Sequence, residues 1–322
     1  MGGRSHGNAV ARKRGQRVHY FADTAKFALR LARAARLGAS ALVEHRFPDG
    51  ESLVQVPGVV GSRAILVRSL NHPNSKLLEL LLAADALRRS GAEQVVLVAP
   101  YLPYMRQDTV FAPGQPVSQK VIGRILAEAF DGIFTVEAHL HRIQRLSQIA
   151  GRGARSLSAA PAIQSWMRRH APGAMVVGPD AESAPWTRAI AGDGAFPQIV
   201  GNKSRAGDLQ VEIEFPRDIP HTERAVIVDD IASSGVTLAA AARALHRRGI
   251  ATVDALVVHA IFAPGAEERI RRASIGRVFS SDTVPHPTNE FSVAGLVAET
   301  LVGEARDGHH EGTDHIAGRR RG

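Results

Sequence analysis

The sequence predicts an α/β protein in which two parallel sheets are each flanked by helices. The first observation is an alternation, since short apolar runs bounded by turn residues are separated by longer helical patterns. The second is that one strand–loop–helix–strand unit occurs twice along the chain. Because strands that alternate with helices are joined by crossover connections, they pair in parallel and place helices on both faces of a sheet.

The alternation begins near residue 64 and resumes after residue 170. Apolar runs predict strands at Ala64–Val67, Gln94–Ala99, Gly132–Val136, Ala174–Val177, Gln198–Val200, Ala225–Val228 and Val253–Phe262. Helical patterns between them predict helices at Asn74–Arg89, Val117–Ala129, Ser183–Ala191 and Thr237–Arg248.

The internal repeat pairs residues 62–103 with residues 223–264. "SRAILVRSL…ADALRRSGAEQVVLVAPYLP" in the first half matches "ERAVIVDDI…ARALHRRGIATVDALVVHAIFAP" in the second. Both segments read as a strand, a loop, a helix that ends in basic residues and Gly, and a second strand. Asp229 and Asp230 of the second copy are replaced by Arg68 and Ser69 in the first. We interpret this as a duplication in which one copy has lost its acidic pair.

Composition excludes several classes of protein. The 322-residue chain is 44% hydrophobic and 22% charged, with no apolar run long enough to cross a bilayer and no secretory signal, which predicts a cytoplasmic protein. It has no cysteine, so disulfides and thiolate metal sites are excluded. A net charge of +9 suits nucleic acid or polyphosphate, but 3 Tyr and 2 Trp without a stacking pattern argue against nucleic acid.

The most informative stretch is "ERAVIVDDIASSGVTLAAAARALHRRG", residues 223–249. Its small hydroxyl residues and Gly, placed between a strand and a helix, can direct N–H groups and hydroxyls at an anion. The carboxylates of Asp229 and Asp230 repel that anion, so the ligand needs donors beside its phosphate. A ribose diol next to a 5-phosphate supplies them, whereas the alternatives are a Mg²⁺ site or a helix cap.

The whole strand–DDIASSGVT–helix string resembles the ribose-phosphate motif of phosphoribosyltransferases and of phosphoribosyl pyrophosphate (PRPP) synthetases. Two copies of the unit favour the synthetase, because a lone phosphoribosyltransferase needs only one. Further resemblance lies in "RFPDGES", "APYLPYMRQD", "TVEAHLHRIQ", "MVVGPDAES" and "GNKSRAGDLQVEIEF", so the match runs from Tyr20 to Leu301. It implies two tandem phosphoribosyltransferase-like domains, at 17–160 and 161–303, between tails expected to be disordered at 1–16 and 304–322.

The resemblance assigns the first domain to ATP and the second to ribose 5-phosphate. The residues implied to bind ATP are Phe47, Asp49, Glu51, Arg106, Gln107, Asp108 and His139. The residues implied to bind ribose 5-phosphate are Asp229, Asp230, Ser233, Ser234, Gly235, Val236 and Thr237. The forked donors of arginine suit phosphate, and a phenyl ring can stack on adenine.

A metal and two cations complete the implied site. His139 and Asp180 match the positions that the family places near Mg²⁺, although Mg²⁺ prefers oxygen ligands and Asp180 also suits a helix cap. Lys203 and Arg205, the implied catalytic residues, lie two apart and project to the same side of an extended segment. Two such cations can neutralise charge that builds on transferring phosphoryl oxygens.

The resemblance implies that Mg-ATP and ribose 5-phosphate give PRPP and AMP, in a homodimer or hexamer that uses neither nucleic acid nor a membrane. This chain departs from the family pattern at Ser233, where an acid is frequent, at Glu137, where Asp is typical, and at Lys76, Thr109 and Val110. Two alternatives stay open: a phosphoribosyltransferase that consumes PRPP, and a non-catalytic synthetase-like regulatory subunit.

Overall fold

The computed structural model describes residues 15–140, 142–207 and 210–311. Its first half contains a six-stranded sheet whose strands pair in parallel in the order β2-β1-β5-β6-β7-β8. The strands are β1 (Gln16–Tyr20), β2 (Gly38–Ala41), β5 (Arg63–Val67), β6 (Gln94–Val98), β7 (Gly132–Val136) and β8 (Ala154–Leu157).

A second six-stranded parallel sheet has the order β10-β9-β13-β14-β15-β16. Its strands are β9 (Met175–Gly178), β10 (Gln198–Val200), β13 (Arg224–Ala232), β14 (Thr252–Ala260), β15 (Val278–Ser281) and β16 (Asn289–Phe291). The two orders correspond strand for strand, which confirms the predicted α/β fold with two duplicated parallel sheets.

An antiparallel hairpin follows the second strand of each domain. In the first domain β3 (Val43–Arg46) pairs with β4 (Ser52–Gln55), and in the second β11 (Asn202–Gly207) pairs with β12 (Gln210–Glu214). The periodicity did not predict the first hairpin, because its exposed residues carry little apolar pattern. The duplication therefore includes the hairpins as well as the sheets.

Helices cover both sheets, and the helices of the described residues are α1 (Ala25–Ala35), α2 (Pro73–Arg89), α3 (Ser118–Ala129), α4 (Ser147–Ala150), α5 (Ala160–His170), α6 (Ala184–Ala191), α7 (Val236–Arg247), α8 (Ala266–Arg272) and α9 (Ala294–Glu311). The predicted helix at Ser183–Ala191 is a short 3-10 turn, Ala181–Ser183, followed by α6. In the described part of the chain, no helix is long and apolar enough to cross a membrane.

The two domains share an apolar core. One buried cluster combines residues of both sheets with α1, α5 and α9, and the C-terminal helix α9 packs against α1 of the first domain. Arg30 of α1 also forms an ion pair with Asp282 of the second domain, at 2.8 Å. Burial of this shared apolar surface fixes the cleft between the carboxyl ends of the two sheets.

The chain ends are described only in part. Helix α9 continues to Glu311, into the segment from 304 for which composition predicts disorder. The tails at 1–14 and 312–322 lie outside the described residues, so the disorder expected there stays a prediction.

Candidate active site

A cleft of about 1270 Å³ lies where the two domains meet. The first domain contributes Arg106 and Asp108, which follow β6, and His139, which follows β7. The second domain contributes the predicted residues Asp180, Lys203, Asp229, Asp230, Ser233, Ser234, Gly235, Val236 and Thr237. The structure thus brings together side chains that are up to about 130 residues apart, as expected at the carboxyl ends of parallel strands.

The predicted phosphate loop forms the start of helix α7. Gly235 is its N-cap and has a left-handed backbone, with φ of 73°. A Cβ at this position would lie 3.2 Å from Ala266 O and 3.1 Å from Ile270 Cγ1, so the loop needs glycine for conformation and for space. The first N–H groups of α7 face the cleft without partners in the helix, as an anion site requires.

The acidic pair lies within a strand, which differs from the sequence prediction that the strand ends at Val228. β13 continues through Asp229 and Asp230 to Ala232, because its neighbour β14 is long enough to pair with it. Asp230 N donates to Asp229 Oδ1 at 3.0 Å, and His139 Nδ1 donates to Asp230 Oδ2 at 2.5 Å. The last contact joins the first domain to the second across the cleft.

The two carboxyl groups of this pair have opposite pKa shifts. Desolvation by the cleft walls and the adjacent charge of Asp230 raise the pKa of Asp229 well above its ordinary value. Desolvation acts on Asp230 in the same direction, but the hydrogen bond and charge of His139 outweigh it and hold the pKa of Asp230 at about 2. Asp230 therefore stays ionised at neutral pH.

Lys203 lies on β11 with its ammonium group in the cleft. Its Nζ donates to Asp180 Oδ2 at 2.8 Å, and its side chain is 12% exposed. The other carboxylate oxygen of Asp180 accepts from Ser183 N at 3.1 Å, so Asp180 also has the capping role that its position suggested. Arg205 lies on the same strand, but its side chain is outside the described part of the chain.

The predicted ATP residues divide into two groups. Arg106, Asp108 and His139 line the cleft, and Asp108 Oδ1 lies 3.4 Å from Arg142 Nε. Gln107 does not line it, since its Oε1 accepts from Ser118 Oγ at the start of α3. Phe47, Asp49 and Glu51 lie at the exposed tip of the β3–β4 hairpin and are not brought to this cleft within one chain.

Comparisons with known proteins place this geometry in a family. Residues 18–129 match the family model described as the N-terminal domain of ribose phosphate pyrophosphokinase, and residues 155–294 match the phosphoribosyl transferase domain. The chain is 32% identical over 280 residues to a ribose-phosphate pyrophosphokinase of Methanopyrus kandleri, covering 86% of this chain and 95% of that one. The chain belongs to the ribose-phosphate pyrophosphokinase family. The family, the fold and the transferase function predicted from the motifs are therefore confirmed.

Two further matches agree with this family. The chain is 34% identical over 250 residues to a ribose-phosphate pyrophosphokinase of Thermococcus kodakarensis, covering 77% of this chain and 87% of that one. A crystal structure of phosphoribosylpyrophosphate synthetase from Mycobacterium smegmatis superposes with a TM-score of 0.79 at 22% identity, covering 91% of this chain and 100% of that one. At that identity the structural match speaks for the fold alone.

Several residues of this family member's cleft were not singled out as site residues from the sequence. Trp186 and Glu137 line the cleft and contact each other, with Trp186 Nε1 donating to Glu137 Oε1 at 2.7 Å. The same oxygen accepts from Ser158 Oγ and from Ala159 N. Glu137 has a left-handed backbone, with φ of 40°, which no short sequence pattern indicates for Glu. These bonds fix the segment that carries His139.

The cleft can accept a divalent cation whose coordination is completed by substrate. Among the described residues, no group of three or more His, Cys, Asp or Glu side chains could hold a metal ion by itself. However, Asp108 Oδ2 is buried in the cleft wall and finds no hydrogen-bond partner in the described part of the chain. Mg²⁺ typically takes one or two carboxylates and substrate phosphates, so Asp180 and Asp108 suit its chemistry.

Proposed function

We propose that this protein transfers the β,γ-diphosphoryl group of Mg-ATP to the 1-hydroxyl of ribose 5-phosphate, giving PRPP and AMP. The observation that carries the proposal is the single cleft in which a phosphate loop and an acidic pair face Arg106 and His139 of the other domain. A phosphoribosyltransferase would need one domain of this kind and no second, nucleotide-side domain. A non-catalytic homologue would not need Lys203 aimed into the cleft.

Ribose 5-phosphate binds at the start of helix α7. Its phosphate takes the N–H groups and hydroxyls of Ser233–Thr237, and its diol donates to the carboxylate of Asp230. Asp229 lies beside that carboxylate and has a raised pKa because of burial and the adjacent charge of Asp230. This placement directs the 1-hydroxyl towards the side of the cleft that holds Lys203 and Arg106.

ATP binds against the first domain. The forked donors of Arg106 suit two phosphate oxygens. His139, which lines the cleft and is bound to Asp230, contacts the same phosphates in this proposal. Mg²⁺, held by Asp180 with His139 nearby, would supply charge neutralisation across the triphosphate. The adenine contacts of Phe47, Asp49 and Glu51 then come from a neighbouring subunit, which makes the active assembly a homodimer or a larger ring.

The reaction needs no protein nucleophile. The 1-oxygen of the sugar attacks the β-phosphorus in line, the bond from that phosphorus to the α,β-bridging oxygen breaks, and AMP leaves with the electron pair. The hydroxyl proton is lost to solvent or to a neighbouring base. Lys203 and Arg205 neutralise the charge on the transferring oxygens. Lys203 first has to leave Asp180, a move that a cation taking that carboxylate would favour.

The proposal is tested with purified protein, Mg²⁺, ATP and ribose 5-phosphate in a buffer of neutral pH. AMP and PRPP are quantified together by anion-exchange chromatography. We expect equal amounts of both, and no PRPP when ribose 5-phosphate or Mg²⁺ is omitted. Release of ADP would indicate γ-phosphoryl transfer instead. Consumption of added PRPP with a nucleobase would support the phosphoribosyltransferase alternative.

A further inference from the structure

The duplicated folds allow each residue of the sugar-phosphate site to be located in the first domain. Strand β5 of the first domain corresponds to β13 of the second. Ile65 of β5 pairs with Val18 of β1, and Val226 of β13 pairs with Val176 of β9, so Ile65 and Val226 are at equivalent positions. The position of Asp229 is therefore occupied by Arg68.

The hairpins correspond in the same way. Val43 pairs with Gln55, as Asn202 pairs with Glu214, and the next residues are Glu44 and Lys203. The Lys and Asp of the second domain are thus replaced by a Glu and an Arg in the first, with inverted charges.

Arg68 is almost completely buried among acids. Its side chain is 5% exposed, its Nη1 lies 2.7 Å from Glu79 Oε2, and its Nη2 lies 3.1 Å from Glu44 Oε2. Its guanidinium stacks on the ring of Phe21 at 3.8 Å, and its Nε lies 3.6 Å from Asp23 Oδ2. We call Arg68, Glu79, Glu44, Asp23, Lys76 and Arg46 the Arg68 cluster.

The cluster fills the place that would otherwise receive a sugar phosphate. Lys76 Nζ lies 2.7 Å from Asp23 Oδ2, and it donates to Ser69 O and to Asn71 Oδ1 across the loop. Pro73 is the first residue of α2 and has no N–H to give a phosphate. The cluster contains three cations and three carboxylates, so its net charge is zero and no excess positive charge is left to bind an anion.

The same cluster holds both strands of the β3–β4 hairpin. Glu79 Oε1 accepts from Ser52 Oγ of β4 at 2.8 Å and lies 3.3 Å from Arg46 Nη2 of β3. Glu44 of β3 is bound to Arg68. The hairpin is therefore anchored at its base, while its tip, with Phe47 39% exposed, projects away from the domain.

We propose that Arg68 and Glu79 are positioning residues that hold the β3–β4 hairpin so that Phe47, Asp49 and Glu51 meet the nucleotide. In this interpretation the first copy of the sugar-phosphate site has been converted into an anchor for the nucleotide hairpin. The inference rests on the proposed function for the role of the hairpin tip, but the anchoring itself can be measured without substrate.

The test compares Glu79→Gln with Asp254→Asn. Glu79→Gln keeps the size of the side chain and removes its charge from Arg68. Asp254→Asn is a matched control, since the Asp254 side chain is 5% exposed, is bound to Arg224 at 2.7 Å and lies on strand β14 of the second domain. Glu44→Gln, whose side chain is 31% exposed against 6% for Glu79, is the milder second variant if Glu79→Gln folds poorly.

Two readouts separate anchoring from overall stability. Hydrogen exchange is measured on the full-length protein without substrate. Glu79→Gln should raise the exchange rate of peptides covering 43–55 at least about 10-fold and leave the exchange rates of the sheet peptides of both domains unchanged. In kinetics, KM for ATP should rise about 10-fold with kcat within about 3-fold, and the Kd for ribose 5-phosphate should not change. Asp254→Asn should change neither readout.

The outcomes distinguish the two proposals. Unchanged exchange in the hairpin, or an acceleration that spreads evenly over the first domain, would overturn the anchoring. Accelerated hairpin exchange with an unchanged KM for ATP would overturn the link to the nucleotide. If the wild type makes no PRPP, the proposed function fails, while the exchange experiment still decides whether Arg68 and Glu79 hold the hairpin.

Discussion

At the scale of single residues, the cleft is defined by a few charges with unequal surroundings. Lys203 is bound to Asp180, Asp230 is bound to His139, and Asp229 lies between them without a cationic partner of its own within hydrogen-bond distance in the described residues. A charge that contacts only the transition state affects kcat, whereas one that contacts bound sugar affects affinity. Substitutions at Lys203 and at the phosphate loop should therefore give different kinetic patterns.

The first prediction concerns Lys203. We expect Lys203→Met, which keeps the length of the side chain, to lower kcat and kcat/KM about 100- to 1000-fold, as loss of a charge-stabilising donor does in other sites. The Kd for ribose 5-phosphate, measured by calorimetry, should change less than about 3-fold. A variant with normal kcat and a raised KM alone would show that Lys203 serves binding only.

The second prediction concerns Gly235. We expect Gly235→Ala to raise the Kd for ribose 5-phosphate at least about 10-fold, because the new Cβ forces the loop away from Ala266 and Ile270. Gly249→Ala is the matched control, with φ of 86° at the other end of α7 and no atom within 4 Å of the added Cβ. It should cost about 1 kcal/mol of unfolding free energy and leave sugar affinity unchanged. Equal loss of affinity in both variants would contradict this role of the loop.

At the scale of elements, strand β14 connects the two domains through His259. This residue is 1% exposed, donates from Nε2 to Val136 O of β7 at 3.0 Å, and has Nδ1 2.9 Å from Thr283 Oγ1. Burial lowers the pKa of His259 to about 4, against the attraction of Asp230. The side chain is therefore neutral in the folded protein, and protonation disfavours the contact between the domains.

The third prediction follows from that pKa. The folded pKa of about 4 lies below the unfolded value of 6.5, so the unfolded chain takes up a proton first as the pH falls. The stabilisation is complete above about pH 6.5 and is lost progressively towards pH 4, by about 3 kcal/mol in total. Urea unfolding of wild type and His259→Gln between pH 4 and 7 measures it. We expect a shallower pH dependence in His259→Gln, and equal slopes in the two proteins would contradict the assignment.

How far the elements were predictable depends on their burial pattern. The strands at the centre of each sheet, such as β6 and β13, were found because buried parallel strands are continuous apolar runs. The edge strand β10 was also predicted, at Gln198–Val200. The short strands β1, β2, β8, β15 and β16 and both hairpins were missed, and β3, for example, is exposed at every position and has no apolar face. Tertiary pairing rather than local pattern creates these elements.

The residues themselves predict the site where they are close in sequence, whereas the resemblance supplied distant cleft residues such as His139, Asp180 and Lys203. The loop from Asp229 to Thr237 is one contiguous string and was found as such. His259 was missed because its partners lie 24 and 123 residues away along the chain, and a lone histidine in a strand carries no local signal. Phe111 and Trp186, which line the cleft, were missed for the same reason. Chain folding, not sequence spacing, brings Phe111 and Trp186 to the cleft and His259 to the contact between the domains.

At the scale of the whole molecule, the two domains have the same fold but contribute different residues to the cleft. The second domain keeps the acidic pair and the phosphate loop, whereas the first has the Arg68 cluster at the equivalent place. The β3–β4 hairpin tip does not reach the cleft of its own chain. Together with the proposed adenine contacts of the hairpin tip, this predicts a site that a second subunit completes.

The fourth prediction tests that shared site. An inactive Phe47→Ala/Asp49→Ala chain and an inactive Lys203→Ala chain should restore each other when they are co-refolded, since a mixed dimer contains one intact site and one doubly altered site. For random pairing we expect roughly a quarter of the wild-type rate per site, as closed two-fold contacts imply. Light scattering measures assembly in parallel. An inactive mixture despite proven subunit exchange, or an active monomer, would contradict the shared site.

In the proposed function, this cleft transfers a diphosphoryl group from ATP to a sugar. The most direct measurement follows ATP labelled with ³²P at the β-phosphorus, incubated with Mg²⁺, ribose 5-phosphate and the wild-type protein. We predict that the label appears in PRPP in step with unlabelled AMP, and that Lys203→Met suppresses this transfer. Label that stays in ADP, or that enters PRPP equally well with Lys203→Met, would contradict the account.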